Sequence, residues 1–255
     1  MVFSRAEIEL FQQRGFLVKP VFFPTDTVRR VGLWLEEMSR TTEPRGSEAR
    51  YYEKSPVSGR NLLVRMEHFL GPDYPGITEL LMTPATLAAA SELLGEPAYL
   101  FKEKVNFKLP GCRADKLHQD QSAGWNAYCD FFLTMAIAVD DNRRDNAALT
   151  FLQSGNYQRS LMAPEWKPLT ESDPPYSPPE EYCLIEANAG DAIFFDSYVP
   201  HGSPPNTSQR ARRNIYITFN RRSAGDLRHR YYQDKWASYP PNRPADARSD
   251  SAYRV

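Results

Sequence analysis

After residue 97 the chain stops reading as helix and becomes a succession of short strands, and this stretch sets what it can fold into. Ala98 to Phe101 runs into Lys102 to Lys108, where Lys102, Lys104, Asn106 and Lys108 alternate with Glu103, Val105 and Phe107 and so share one strand face. Pro110-Gly111 turns the chain. Further strands are expected over 116–120, 131–139, 147–153, 182–187, from 192 to near 201, and over 213–220. Helical signals come earlier. Ser4 and Glu7 form a capping box that opens a helix ending near Gly15, and a strand is expected over 16–23. Thr25 or Asp26 caps a second helix with an apolar stripe of Val28, Val31, Leu33, Trp34 and Met38, and two more helices are expected over 77–82 and 85–94. The polar run 41–60 and the proline-rich run 163–180 read as loops, the latter as a lid or rim. Helices followed by about eight short strands predict a mainly β fold, a double-stranded β-helix (jelly roll, cupin-like) buttressed by N-terminal helices. One domain is expected, with helical support over ~1–96, the jelly-roll core over ~97–220 and a C-terminal tail over ~221–255 that includes a helix near 224–236.

Charge and cysteine usage narrow the function classes. A formal net charge of −1 signals no polyanion, so no nucleic-acid partner is expected. Cys112, Cys129 and Cys183 form no CxxC pair and no disulfide framework, which points to a reducing compartment. The first residues lack an apolar signal core, and no run reaches the ~18 apolar residues of a membrane span. The expectation is a soluble cytoplasmic protein, monomer or homodimer, acting on a small molecule.

The chemistry lies in two places. His118 and Asp120 sit two apart, so on an extended strand both side chains face one way. His201 follows 83 positions after His118 (201 − 118), and a jelly roll brings the two together. Two imidazoles and a carboxylate can hold one face of an iron(II) ion and leave the other open. An isolated His-x-Asp is more often a buried histidine hydrogen-bonded to a carboxylate, so the weight falls on the second half, His201-Gly202-Ser203-Pro204-Pro205-Asn206, with Arg212 eleven positions after His201 (212 − 201).

Taken together, Leu117-His118-Gln119-Asp120, Gly190-Asp191-Ala192-Ile193-Phe194-Phe195, the His-x-Ser-x-x-Asn run from His201 and Arg212 resemble the phytanoyl-CoA dioxygenase family, from Gly15 to about Asn220. The resemblance implies an oxygenase using iron(II), 2-oxoglutarate and O₂, with His118, Asp120 and His201 as iron ligands and catalytic residues. It implies Arg212 on the distal carboxylate of 2-oxoglutarate, Ser203 donating to the same co-substrate, and Asn106 and Thr134 as further cofactor contacts. Retention of Asp120, where halogenating relatives carry Gly or Ala, implies hydroxylation of an unactivated C–H bond coupled to decarboxylation of 2-oxoglutarate to succinate and CO₂. The stretch Asn146 to Asn156 departs from the family pattern, lacking its glycine and terminal histidine.

For the substrate, the run Lys104 to Gly111 with Gly124-Trp125 looks most like members acting on small polar metabolites of the amine, amino acid or aminophosphonate type. Trp125 would line the pocket and could hold an ammonium on its ring face. Lys104 or Arg65 could hold an anionic end. The alternatives are a tailoring oxygenase of a larger natural product, a cupin-like isomerase or hydrolase, and a non-catalytic metal protein. An intact Arg212 and Ser203 count against the last two.

Overall fold

The computed structural model describes residues 1–153, 157–162 and 182–243. The proline-rich run 163–180, expected to be a lid or rim, lies outside them.

The N-terminal elements follow the sequence signals closely. Helix α1 (Arg5–Arg14) is closed at one end by the Ser4/Glu7 capping box and at the other by Gly15 in the left-handed region (φ 77°). Strand β1 (Phe16–Lys19) stops earlier than expected, because Val21 takes a positive φ of 51° and turns the chain. Helix α2 (Thr25–Ser39) buries Val28, Val31, Leu35 and Met38 on one stripe. The polar run 41–60 is not simply a loop: β2 (Ala49–Lys54) pairs antiparallel with β3 (Asn61–Glu67). Helices α3 (Pro75–Leu81) and α4 (Pro84–Leu94) each begin on proline, which has no N–H to leave unpaired at that position.

Next come β4 (Ala98–Lys108), β5 (Asp115–His118), β6 (Phe132–Ala138), β7 (Leu149–Leu152), β8 (Tyr182–Ile185), β9 (Ala192–Asp196), β10 (His201–Ser203), β11 (Arg212–Arg221) and helix α5 (Arg228–Ser238). They form two antiparallel sheets, ordered β1-β9-β6-β11-β4-β3-β2 and β5-β10-β7-β8. The expected strand from 192 to 201 is therefore two strands in different sheets, β9 and β10. This is the mainly β, helix-buttressed jelly roll expected from the sequence.

The two faces of the large sheet have different jobs. Val105, Phe107, Leu133, Met135, Ile137, Ile215 and Ile217 point to the helices and share a core with Phe11, Leu35 and Leu94. Ala136, Ile193, Phe195 and Tyr216 point to the small sheet and pack with Leu149, Phe151 and Val199. Strand β6 is buried at every position because both its faces are covered. On the inner face of β4 the alternation holds, and Lys102, Lys104, Asn106 and Lys108 all line the space between the sheets.

Candidate metal centre and its cavity

His118 ends β5 and His201 begins β10, and the two residues are direct register partners. Their rings lie 4.3 Å apart between centroids. Strand β5 can lie this close because Gly202 has no side chain: a Cβ there would sit 2.8 Å from the Asp115 carbonyl oxygen. Its spacing from His118 predicted Asp120 on the same strand, but β5 ends at His118 and Asp120 opens a 3₁₀ turn over Asp120–Ala123. The turn still brings its carboxylate round to the imidazoles. Oδ1 lies 3.7 Å from His118 Nε2 and Oδ2 lies 4.0 Å from His201 Nε2. One ligand atom from each of the three residues falls within 4.8 Å of the others, close enough for all three to hold one ion.

The protonation states suit a metal. His118 Nδ1 sits 2.7 Å from the Lys116 carbonyl oxygen, and His201 Nδ1 sits 3.0 Å from that of Val199. A carbonyl only accepts, so each Nδ1 carries a proton and each Nε2 is the nitrogen turned toward Asp120. Burial, then the neighbouring His118, pushes the His201 imidazole down to about 4, so it stays neutral. Burial opposes charge on Asp120 too, but His118 and His201 outweigh it and hold the carboxyl well below the usual range. The turn before His201 is fixed by Asp196, which accepts from the backbone N–H of Tyr198 and Val199, both at 2.9 Å. Gln119, between the two ligand positions of the first motif, donates to the Tyr198 and Ser160 carbonyls and accepts from Met162 N–H.

The triad borders a cavity of about 220 Å³. Arg212 begins β11 directly opposite Lys108 of β4. It shares a strand face with Tyr216, which lines the cavity, and is itself wholly buried. Its Nη1 donates to Tyr216 Oη at 3.2 Å, while Nε and Nη2 have no hydrogen-bond partner among the described residues. A buried guanidinium with idle donors is costly unless an anion fills them. A dicarboxylate bound beside the triad meets that need, so both the donor set and the orphaned guanidinium fit a ferrous ion with a 2-oxo acid.

The other expected site residues are distributed unevenly. Asn106 and Lys104 line the cavity, and Lys104 Nζ lies 5.1 Å from the Tyr216 ring centre. Ser203 is buried, and its hydroxyl donates to Asp115 at 3.2 Å. Thr134 is not among the cavity-lining residues; its hydroxyl is shared with Thr218 at 2.9 Å. Arg65 lines the cavity, but its charge is met by Glu67 at 3.1 Å. Trp125 lines it as well, and one face of its ring already carries a protein cation, Lys102 Nζ at 5.0 Å. Arg213 turns away from the site onto Asp140, at 2.7 Å. His68 packs edge-on against Tyr232 and Trp236.

Of the lining residues that the expected site left out, three bear on it directly. Lys102 is 1% exposed rather than solvated. Asp115 pairs with Lys108 at 3.0 Å, and burial of its carboxyl is outweighed by Lys108 and Arg113. Tyr216 holds Arg212. The β4 alternation was the signal for Lys102; Asp115 and Tyr216 carried none.

A jelly roll that gathers two imidazoles and a carboxylate beside a buried guanidinium defines the class of mononuclear metalloenzymes that use an oxo acid. Comparison with known proteins refines this. The family model for phytanoyl-CoA dioxygenase matches residues 11–214. A 2-aminoethylphosphonate dioxygenase from uncultured bacterium HF130_AEPn_1 is 33% identical, over 94% of this chain and 90% of that protein. A methylphosphonate hydroxylase from Gimesia maris is 32% identical, over 92% and 87%. Among solved structures, EctD from S. alaskensis in its apoform superposes with a TM-score of 0.72 at 19% identity, over 88% of this chain and 79% of that one, and supports the fold. The chain belongs to the phytanoyl-CoA dioxygenase family. It is an oxygenase that uses iron(II), 2-oxoglutarate and O₂. Among the described residues no helix is long and apolar enough to cross a membrane.

Proposed function

We propose that the enzyme hydroxylates a C–H bond of a small phosphonate, with or without an amine, while 2-oxoglutarate is converted to succinate and CO₂. One oxygen atom of O₂ enters the new hydroxyl and the other enters succinate, so atoms and electrons balance. The observation that carries this reading is the orphaned, buried Arg212 beside an intact His118/Asp120/His201 triad. The two phosphonate-acting relatives, each aligned over at least 92% of this chain, supply the substrate class. A cavity of about 220 Å³ is below the ~300–1,000 Å³ of sites for drug-sized ligands, which favours a small metabolite over a large natural product.

His118, Asp120 and His201 would hold the iron through Nε2, a carboxylate oxygen and Nε2. Iron(II) with 2-oxoglutarate and O₂ supplies the oxidation of an unactivated C–H bond. The chain's own residues bind, orient and exclude water. The Lys116 and Val199 carbonyls fix the imidazole tautomers. Arg212 would offer Nε and Nη2 to the distal carboxylate of 2-oxoglutarate, with Tyr216 holding the third nitrogen in place. Phe195 and Phe151 stand against His201, at 4.8 and 5.7 Å between ring centres, and keep that side dry. The test is succinate release by the iron-loaded enzyme with and without 2-aminoethylphosphonate or methylphosphonate. Stimulation by either supports the reading. Release no greater with either phosphonate than without it, alongside stimulation by an amine that lacks a phosphonate, would reject it.

A further inference from the structure

Lys102 sits far along the cavity from the proposed co-substrate clamp. On β4, Lys108 faces Arg212 across the ladder, whereas Lys102 faces Thr218. Six residues separate them, about 20 Å along an extended strand. His118 and His201 line the same cavity from the opposite sheet, with Asp120 on the turn after β5.

The cations of this cavity are not alike. Lys108 is met by Asp115, Arg113 by Glu53 and Arg65 by Glu67. Lys102 has no carboxylate within ion-pair distance among the described residues. Its ammonium donates to the Tyr231 hydroxyl at 2.9 Å and lies over the rings of Trp125 and Tyr231, at 5.0 and 5.1 Å. Behind it the balance is also short of negative charge. Lys235 donates to Glu67 at 2.6 and 2.8 Å and leans on the same Tyr231 hydroxyl at 3.4 Å. Glu67 is thus ion-paired with both Arg65 and Lys235, and Lys102 is left to the rings and the Tyr231 hydroxyl. Beside Lys102, the indole N–H of Trp125 is buried with no acceptor among the described residues, although the residue lines the cavity. Buried donors without acceptors and buried cations without anions cost stability unless a ligand supplies what is missing.

We propose that Lys102 and the Trp125 indole N–H form the anion-binding end of the substrate subsite, taking the phosphonate oxygens of the substrate. The inference rests on the phosphonate reading above and adds the residues that impose it. It also places Trp125 as a donor to an anion, rather than as a seat for a substrate ammonium, because Lys102 already covers one face of its ring. Substrate and co-substrate would enter with their anionic groups at opposite ends of the cavity, leaving the substrate carbon beside the triad. Burial keeps the Lys102 amine well below its ordinary range, so a bound dianion would also be what holds it charged.

The experiment is calorimetric titration of methylphosphonate into the enzyme loaded with iron(II) and 2-oxoglutarate under anaerobic conditions. It compares the wild type with Lys102→Met and Trp125→Phe. Lys102→Met should weaken phosphonate binding roughly 10- to 100-fold, the loss of a charge-assisted hydrogen bond. Trp125→Phe keeps a ring and loses only the N–H, so roughly 3- to 10-fold is expected. 2-Oxoglutarate affinity should stay within about 2-fold in both, which also shows that the variants fold. Wild-type phosphonate affinity in both variants would overturn the subsite and leave the functional reading standing. Failure of the wild type to bind methylphosphonate, 2-aminoethylphosphonate or inorganic phosphate at millimolar concentration would overturn the subsite as well. If phosphonates then also fail to stimulate succinate release, the functional reading falls with it.

Discussion

Replacing Arg212 by methionine should separate co-substrate binding from folding. The side chain is fully buried, and two of its three guanidinium nitrogens have no partner among the described residues. A carboxylate seated on Nε and Nη2 would gain two charge-assisted hydrogen bonds, each worth about 1.5–3 kcal/mol. Losing both costs about 3–6 kcal/mol, and at about 1.4 kcal/mol per decade the dissociation constant of 2-oxoglutarate should rise ~10²- to 10⁴-fold. Stability in the absence of ligand should move little or improve, because a buried charge lacking a counter-ion is replaced by an apolar chain of similar reach. The assay is thermal unfolding across a 2-oxoglutarate titration. Saturation at 100 times the dissociation constant should stabilise the wild type by about 2.7 kcal/mol, and the same concentrations should leave the variant unmoved. An unchanged 2-oxoglutarate response, or a large loss of stability with normal affinity, would show that Arg212 is a structural cation and refute the reasoning.

Other outcomes follow from the same geometry. Asp120→Ala removes the only carboxylate of the triad and should abolish substrate-dependent succinate release, with iron binding weakened at least ~10-fold in equilibrium dialysis. Tyr216→Phe frees Arg212 Nη1 from its 3.2 Å hydrogen bond and should raise the 2-oxoglutarate requirement modestly, roughly 3- to 10-fold in steady-state kinetics. Burial brings the Lys235 amine down from 10.5 to about 7, despite Glu67 beside it. The unfolded chain therefore holds that proton more tightly between these values, and stability should rise with pH from 7 toward 10. Melting temperatures at pH 7 and 9 check this, and the rise should flatten in Lys235→Met.

What the sequence revealed and what it hid both have physical causes. Side-chain alternation on β4 is a local property, so residue order alone places Lys102, Lys104, Asn106 and Lys108 on one face. The same holds for the Ser4/Glu7 cap and for Val28, Val31 and Met38 of the α2 stripe, whereas Leu33 of that stripe is exposed and Leu35 is buried instead. Strand β2 was masked because its burial is ionic: Arg50 and Glu48 pair at 2.9 Å with no exposure, so buried residues read as polar loop. The His-x-Asp spacing located the right residues for an incomplete reason, since only His118 is on the strand and a 3₁₀ turn delivers Asp120. The partners of Lys102 lie in the helix after the sheet and in the turn after Asp120, contacts that no local pattern encodes. Thr134 sat on the expected strand, but its hydroxyl is taken up by Thr218.

The central claim is that His118, Asp120 and His201 hold one ferrous ion with Arg212 placed to seat 2-oxoglutarate against it. Anaerobic addition of iron(II) and then 2-oxoglutarate tests it most directly. A weak visible charge-transfer band is predicted, at one iron per chain, and it should be lost in Asp120→Ala and shifted to much higher 2-oxoglutarate in Arg212→Met. A folded wild-type protein that takes up iron(II) and 2-oxoglutarate without developing the band would contradict the account.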